Sequence, residues 1–157
     1  MSELPHLDES GDARMVDVSA KDVTARTATA RGRVLVNADV VRLLRAGDLP
    51  KGDALAVARI AGIMAAKHTP DLIPLCHPIA LHAVDVDCTV ADDAVDVVVT
   101  TRTADRTGVE MEALTSVAVA CLAVVDMVKA VDPSATITDI RVIEKTGGKT
   151  GRWVRDE

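Results

Sequence analysis

A long apolar stretch between residues 107 and 132 constrains the fold more than any other part of the sequence. It contains no proline, and alanine, leucine and methionine, which favour helices, fill much of it. Thr107 and Glu110 have the spacing of a capping box, which predicts that a helix starts here. The middle of the stretch, residues 117–125, is apolar on every side. We therefore expect one long helix that is buried on more than one side.

Both ends of this predicted helix carry charged side chains. Asp126 and Lys129 are three residues apart, so they lie on the same helix face. Glu112 lies on nearly the same stripe, but about 21 Å from Asp126 along the axis at ~1.5 Å per residue. One small reaction centre cannot hold both carboxylates. Either they serve opposite ends of a long ligand, or each belongs to a site that another subunit completes.

The composition limits both the core and the partners of the chain. Phe and Tyr are absent and Trp153 is the only aromatic residue, so the core must consist of aliphatic side chains and methionine. Without aromatic faces the chain has little with which to stack nucleic-acid bases. Its net charge of −6 also disfavours a polyanionic partner. A small anionic ligand remains compatible with this charge if basic residues gather locally.

The cysteines and the hydropathy indicate the cellular setting. The three cysteines, Cys76, Cys88 and Cys121, are odd in number and form no CxxC pair. A reducing, cytoplasmic setting is therefore expected. We expect no signal peptide and no apolar run long enough to cross a bilayer, and so no membrane partner.

The order of predicted elements is β, α, β, β, α, β. Strands are expected at 27–37, 80–90, 94–103 and 135–145, and helices at 38–46 and 53–67 in addition to the long one. This order is typical of a ferredoxin-like α+β fold, an antiparallel sheet with helices on one face. At this length a single domain, residues 14–157, is expected to follow a flexible acidic N-terminus, residues 1–13.

Two short segments could contribute to a site. Lys51 stands just before a helix that Asp53 can cap, and the positive helix end together with a lysine favours an anion or lowers the lysine's pKa. An exposed loop lysine is the commoner case. Cys76 and His77 lie in a rigid segment between two prolines, and such a pair is compatible with a catalytic nucleophile or with metal ligands. Because no further Cys or His has the spacing of a metal site, we prefer a histidine that contacts a ligand.

Basic residues concentrate in an N-terminal arm and in the C-terminal tail. The arm, residues 14–33, includes Lys21 and Arg26, and the tail EKTGGKTGR includes Lys145 and Lys149. The tail lacks the first glycine of a phosphate-binding loop and the helix that should follow it, so we reject that motif. Each segment is either a solvated strand of charges or a flexible clamp for an anion.

Five segments of the chain together resemble the molybdenum-cofactor biosynthesis protein C (MoaC) family. They are MVDVSAKDVTARTATARG at 15–32, KGDALAVARIAGIMAAK at 51–67, DLIPLCHPI at 71–79, TGVEMEALTSVAVA with DMVKAVD between 107 and 132, and DIRVIEKTGGKTG at 139–151. The resemblance implies a lyase that converts a small-molecule nucleotide, (8S)-3',8-cyclo-7,8-dihydroguanosine 5'-triphosphate, to cyclic pyranopterin monophosphate and diphosphate. It implies proton transfer and phosphoryl transfer, with no redox step and no organic cofactor. It also implies a homohexamer, a trimer of dimers, with sites at subunit interfaces.

The same resemblance assigns roles to individual residues. Carried over by motif, it implies catalysis by Lys51, Asp126 and Lys129. Substrate contacts are implied for Leu75, Cys76, His77, Met111 and Glu112. The cations expected to hold the triphosphate are Lys21, Arg26, Lys145 and Lys149.

A second hypothesis from a different class is a ligand-binding module, since ferredoxin-like folds host many functions without catalysis. In that case Asp126 and Lys129 would form a structural ion pair on the helix surface. Substitutions that leave the fold intact but abolish turnover would distinguish the enzyme from the module.

Overall fold

The computed structural model describes residues 5–156, which contain five strands and four helices. In chain order the elements are β1 (Thr24–Leu35), α1 (Ala38–Ala46), α2 (Ala54–Lys67), α3 (Thr69–Leu72), β2 (Leu81–Val90), β3 (Ala94–Asp105), α4 (Glu110–Val128), β4 (Thr136–Thr146) and β5 (Trp153–Val154).

The strands form one antiparallel sheet in the order β2-β3-β1-β4-β5. β1 therefore lies between β3 and β4, and the two βαβ units are each split by an inserted strand. α4 packs on β1, β3 and β4, and α2 packs on α4 and β2. The predicted α+β, ferredoxin-like class, with helices on an antiparallel sheet, is confirmed. Only the short elements α3 and β5 were not predicted, because a segment of two to four residues is too short to show a hydrophobic periodicity.

Side-chain caps explain where the first two helices begin. Asn37 accepts a hydrogen bond from the amide of Val40 at the start of α1, and Asp53 accepts one from Ala56 at the start of α2. The predicted bounds of α1 are confirmed, and α2 begins one residue later than predicted, at Ala54, with Asp53 as its cap. Asp53 ends the loop that carries Lys51, so the cap also determines where this lysine stands.

The predicted start of α4 is wrong. The helix begins at Glu110, its N-cap is Val109, and no side chain caps it. Thr107 lies outside the helix, and the Glu110 carboxylate instead accepts a hydrogen bond from Lys145 at 2.9 Å. The buried Thr101 hydroxyl on β3 holds this end by donating to the Val109 carbonyl. The Glu110 carboxylate, which a capping box would use, is thus engaged in a tertiary ion pair with Lys145.

Small residues let the layers approach each other closely where α4 crosses its neighbours. A Cβ atom on Gly32 of β1 would lie 2.7 Å from Val117 Cγ1, and one on Gly62 of α2 would lie 3.0 Å from Ser116 Oγ. The buried hydrophobic core around these crossings consists of aliphatic side chains with Cys121 and Met127 and, in the part of the chain that the structure describes, contains no aromatic ring. The core is therefore filled by elements whose backbones lie close together, and not by aromatic rings.

By length and composition alone α4 is apolar enough to cross a membrane, so the expectation that no such run exists is wrong for this helix. Half of its most apolar window is buried inside the fold. Packing on both the sheet and α2 accounts for this apolarity.

The N-terminal segment was expected to be flexible over residues 1–13. Residues 1–4 lie outside the described part of the chain. Residues 5–13 form a turn closed by a bridge between Leu7 and Ala13, in which Asp8 accepts hydrogen bonds from the amides of Ser10 and Asp12. Its flexibility stays a prediction.

Substituting Gly32 by alanine should lower the free energy of unfolding by about 1–3 kcal/mol, because the added methyl group overpacks the contact with Val117. Chemical denaturation followed by circular dichroism measures this change. Ala25→Ser, at an exposed position of the same strand, is the control and should be nearly neutral. Equal stability of the two variants would contradict the proposed close approach.

Candidate functional site

Lys51, Asp126 and Lys129 meet at the C-terminal end of α4. Lys129 Nζ donates to Asp126 Oδ1 at 2.7 Å, and Lys51 Nζ lies 3.5 Å from the same oxygen. Lys51 also donates to the backbone carbonyl of Asp126 at 2.9 Å. We call these three residues the amine–carboxylate cluster. A loop lysine and a helix pair that are 75 residues apart in sequence are thus in direct contact.

Two positive charges control the ionisation of the central carboxylate. The hydrogen bond and charge of Lys129, followed by the charge of Lys51, hold the pKa of Asp126 below its usual value. All three side chains are exposed, so these ion pairs contribute little to stability. Both lysines also sit where the negative end of the helix dipole favours cations. The cluster can supply ammonium groups to an anion beside a carboxylate that accepts protons.

A pocket of about 340 Å³ opens at the other end of α4. Leu75, Cys76 and His77 from the connection between α3 and β2 line one side, and Met111 from α4 lines another. Lys21 closes it from the N-terminal arm. The structure therefore brings together most of the residues for which substrate contacts were predicted. We call this space the ligand pocket.

Glu112 is buried directly beside the ligand pocket. Its side chain is 2% exposed, and Cys76 Sγ lies 3.6 Å from its Oε1 atom. Its Oε2 atom has no hydrogen-bond partner within residues 5–156. Burial raises the pKa of Glu112, and the charge of Glu110 adds to the effect. A buried carboxyl oxygen without a partner has lost its hydration, so Glu112 keeps an unsatisfied hydrogen-bonding group beside the pocket.

A second, smaller pocket of about 120 Å³ gathers positive charge next to the first. Arg26, Lys145 and Lys149 line it, and Gly108 and Glu110 line both pockets. The backbone of Gly147 and Gly148 has positive φ and lies against Arg26, where a Cβ atom on Gly148 would be 2.5 Å from the guanidinium nitrogen. Glycine is thus required for the tail to approach Arg26. We call this space the basic pocket.

Glu110 is a site residue that sequence reasoning missed. Its carboxylate occupies the boundary of the two pockets and pairs with Lys145. It curls back so far that a Cβ atom on Gly108 would lie 2.0 Å from its Oε2 atom. Its spacing to Thr107 suggested a helix cap. The only sequence signal against that cap was the pair Gly108–Val109 just before the helix.

Two hydrogen bonds fix the N-terminal arm over the ligand pocket. His77 Nε2 lies 2.5 Å from the carbonyl oxygen of Val16, and Arg106 Nε donates to the carbonyl of Lys21 at 3.1 Å. Arg33, further along the arm, pairs with Asp96 and Asp93 instead. The arm thus contributes Lys21 and Arg26 to the pockets, while Arg33 serves the sheet.

The amine–carboxylate cluster and the two pockets are not brought together within one chain. Glu112 and Asp126 both lie in α4, so the predicted separation of about 21 Å holds in the structure. The described residues also contain no group of three or more His, Cys, Asp or Glu side chains that could hold a metal ion. The site is therefore organised around charges and hydrogen bonds at two ends of one helix.

Comparison with known proteins gives a single consistent result. The sequence model of the MoaC family matches residues 15–148. A Streptomyces coelicolor protein named cyclic pyranopterin monophosphate synthase is 70% identical over 152 residues, which cover 97% of this chain and 89% of that protein. A Roseiflexus protein of the same name is 58% identical over 158 residues, covering 99% of this chain and 100% of its own.

Inorganic diphosphate should bind in the basic pocket, and Lys145→Ala should weaken this binding about tenfold, as expected for one lost charged hydrogen bond. Glu110→Gln should strengthen it, because the competing carboxylate charge is removed. Isothermal titration calorimetry measures both. Lys67→Ala, an exposed lysine at the end of α2, is the control. If Lys145→Ala binds diphosphate as tightly as this control, the anion binds elsewhere.

Proposed function

This chain belongs to the MoaC family, and from that premise we propose that it is a cyclic pyranopterin monophosphate synthase of molybdenum cofactor biosynthesis. In this reaction (8S)-3',8-cyclo-7,8-dihydroguanosine 5'-triphosphate is rearranged to cyclic pyranopterin monophosphate, and diphosphate is released. The name of the Streptomyces coelicolor and Roseiflexus relatives supports this assignment. The three free cysteines are compatible with a cytoplasmic location, which forms part of the proposal.

The contact of both Lys51 and Lys129 with the Asp126 carboxylate is the observation that carries the proposal. A structural ion pair on the helix requires only Asp126 and Lys129, which are three residues apart. A second lysine delivered from the loop before α2 adds a positive charge that exposed surface pairing does not need. An acid–base reaction on an anionic substrate does need it.

We assign complementary roles to the three groups of the amine–carboxylate cluster. The Asp126 carboxylate, kept ionised by its neighbours, orients the two ammonium groups and accepts protons. Lys51 and Lys129 donate protons to the rearranging ring system and stabilise negative charge that develops on oxygen. When the cyclic phosphate closes, a hydroxyl oxygen of the substrate attacks the α-phosphorus, loses its proton, and diphosphate leaves. No electron is transferred, so the reaction requires no redox cofactor.

The two pockets at the other end of α4 match two parts of this substrate. We propose that the guanine-derived rings occupy the ligand pocket, where the Cys76–His77 segment supplies hydrogen-bonding groups and Glu112 lies buried behind Cys76. The triphosphate would then extend into the basic pocket, toward Arg26, Lys145 and Lys149. Lys21 of the arm lies at the rim of the ligand pocket and would add a further positive charge.

We propose that a complete site combines the pockets of one chain with the amine–carboxylate cluster of another, in a homohexamer built as a trimer of dimers. The separation of the two groups along α4 supports this arrangement, since one small substrate cannot bridge them within a chain. α2 also exposes a stripe of large apolar side chains, Val57, Ile60 and Met64, at the spacing of one helix face. Such a stripe is suited to contact between subunits.

Turnover by the purified chain is the direct test of this function. Incubation with the cyclic dihydro-GTP should release diphosphate and yield cyclic pyranopterin monophosphate, detected as its fluorescent oxidised pterin. Tight binding of the nucleotide without any product would support the ligand-binding module instead.

Lys51→Ala, Asp126→Asn and Lys129→Ala should each lower kcat/KM by about 10²-fold or more, as expected for lost acid–base groups. Circular dichroism should show an intact fold, because all three side chains are exposed. Lys67→Ala, again an exposed lysine, should retain wild-type turnover. Wild-type turnover in all three cluster variants would remove these residues from catalysis.

Mixed oligomers test whether two chains share each site. Asp126→Asn chains lack the cluster and Lys145→Ala chains lack part of the basic pocket, so at substrate concentrations below KM turnover should fall about 10²-fold or more in the first and about tenfold in the second. If sites are shared, refolding the two together should restore about a quarter of wild-type turnover, since random pairing in a symmetric oligomer yields that share of intact sites. Mixtures that stay as inactive as the single variants would contradict shared sites.

A further inference from the structure

Cys76 separates Glu112 from the ligand pocket. Its side chain lines the pocket, whereas Glu112 is almost fully buried and does not. The sulfur is 3.6 Å from Glu112 Oε1 and 3.8 Å from the carbonyl oxygen of His77, so the thiol proton is shared between these two acceptors. The other carboxyl oxygen, Oε2, is left without a partner among residues 5–156.

Few groups counteract the effect of burial on the pKa of the Glu112 carboxyl group. Burial is the largest influence and raises its pKa, and the Glu110 charge on the same helix acts in the same direction. Its own backbone amide and the Cys76 thiol act against these effects, and no cation is among the groups that shift its pKa. Lys145, which β4 brings to this end of α4, is paired with Glu110. Cys76 is therefore the one side chain that favours the ionised form of Glu112 within the described structure.

We propose that Cys76 is a positioning residue that acts through Glu112: at the wall of the ligand pocket its thiol holds one carboxyl oxygen, and so determines whether the carboxyl group behind that wall is neutral or negatively charged. A protonated carboxyl group donates through its free oxygen, and an ionised one accepts. The thiol is a weak donor, so the balance between the two forms is sensitive to what stands at position 76.

This role has a consequence for ligand choice that rests on the proposed function. A guanine-derived ring presents N–H donors beside a carbonyl acceptor. Across the Cys76 thiol, the negative charge of an ionised Glu112 favours the donors, and a neutral Glu112 favours the carbonyl. Binding of the ring is then linked to uptake or release of one proton at Glu112.

Infrared titration of the ligand-free protein tests the proposal without any measurement of activity. The carbonyl band of protonated Glu112 is identified as the band that Glu112→Gln removes, in a chain with only six glutamates. In Cys76→Ser the hydroxyl is a better donor to the carboxylate, so Glu112 should titrate at lower pH than in the wild type. In Cys76→Val no donor remains in a similar volume, so it should titrate at higher pH.

Cys88→Ser is the matched control, since Cys88 on β2 is a half-buried cysteine that does not contact Glu112 and should leave the titration unchanged. Shifts in opposite directions for the two Cys76 variants support the proposal. An unchanged titration, or a shift in the same direction for both, overturns it. If the shifts occur but the nucleotide is not turned over, the proposed function fails while the positioning role stands.

Alkylation of Cys76 tests the same contact from the thiol side. Burial and the nearby Glu112 raise the pKa of the Cys76 thiol to about 11. In a Cys88→Ser background, where the other remaining cysteine, Cys121, is buried, Glu112→Gln should therefore speed iodoacetamide alkylation at mildly alkaline pH by about threefold or more. An unchanged alkylation rate would show that the two side chains do not interact, and would overturn the proposal independently of the infrared result.

Discussion

The close packing of α4 between the sheet and α2 is the constraint on which the rest of this structure depends. With Trp153 as the only aromatic residue, the chain cannot fill space with rings, and it brings backbones together at Gly32 and Gly62 instead. Because interiors are packed at nearly crystalline density, such an arrangement leaves α4 little freedom to slide or rotate. Its two ends are thereby held in place. One end presents Met111 and Glu112 to the connection before β2, and the other presents Asp126 to the loop before α2.

Charge in the proposed site is balanced by the chain itself before any ligand arrives. Lys145 is paired with Glu110, and Lys51 and Lys129 are paired with Asp126. These pairs are partly or fully exposed, so each costs little to rearrange. A phosphate group that enters the basic pocket exchanges a carboxylate partner for its own oxygens. Such an exchange would let a chain with a net charge of −6 hold the proposed polyanionic nucleotide at one place.

Local patterns were sufficient to predict most of the fold. Alternating strands, the cap Asp53 and a long apolar helix led to the correct fold class, because each depends on neighbours within a few residues. The wrong start of α4 shows the limit of such patterns. Thr107 and Glu110 have the spacing of a capping box, but Lys145, 35 residues further on, takes the carboxylate. No local pattern contains that partner.

The candidate site shows the same limit: local motifs indicate individual residues, but not the partners that they contact from distant parts of the chain. The motifs indicated candidate site residues, but the contact of Lys51 with Asp126 spans 75 residues and follows only from how α2 packs on α4. The link between Cys76 and Glu112 likewise depends on where α4 meets the connection before β2. The role of Glu110 at the boundary of both pockets was missed because its sequence position has a simpler local explanation.

A crystal structure of the Lys51→Ala protein with the cyclic dihydro-GTP bound would test the central claim most directly. The account predicts that the rings lie against Cys76 and Glu112 of one chain, with phosphates near Arg26 and Lys145, and that Asp126 and Lys129 of a neighbouring chain reach the same ligand. A nucleotide bound far from Asp126 and Lys129 of every subunit would contradict it.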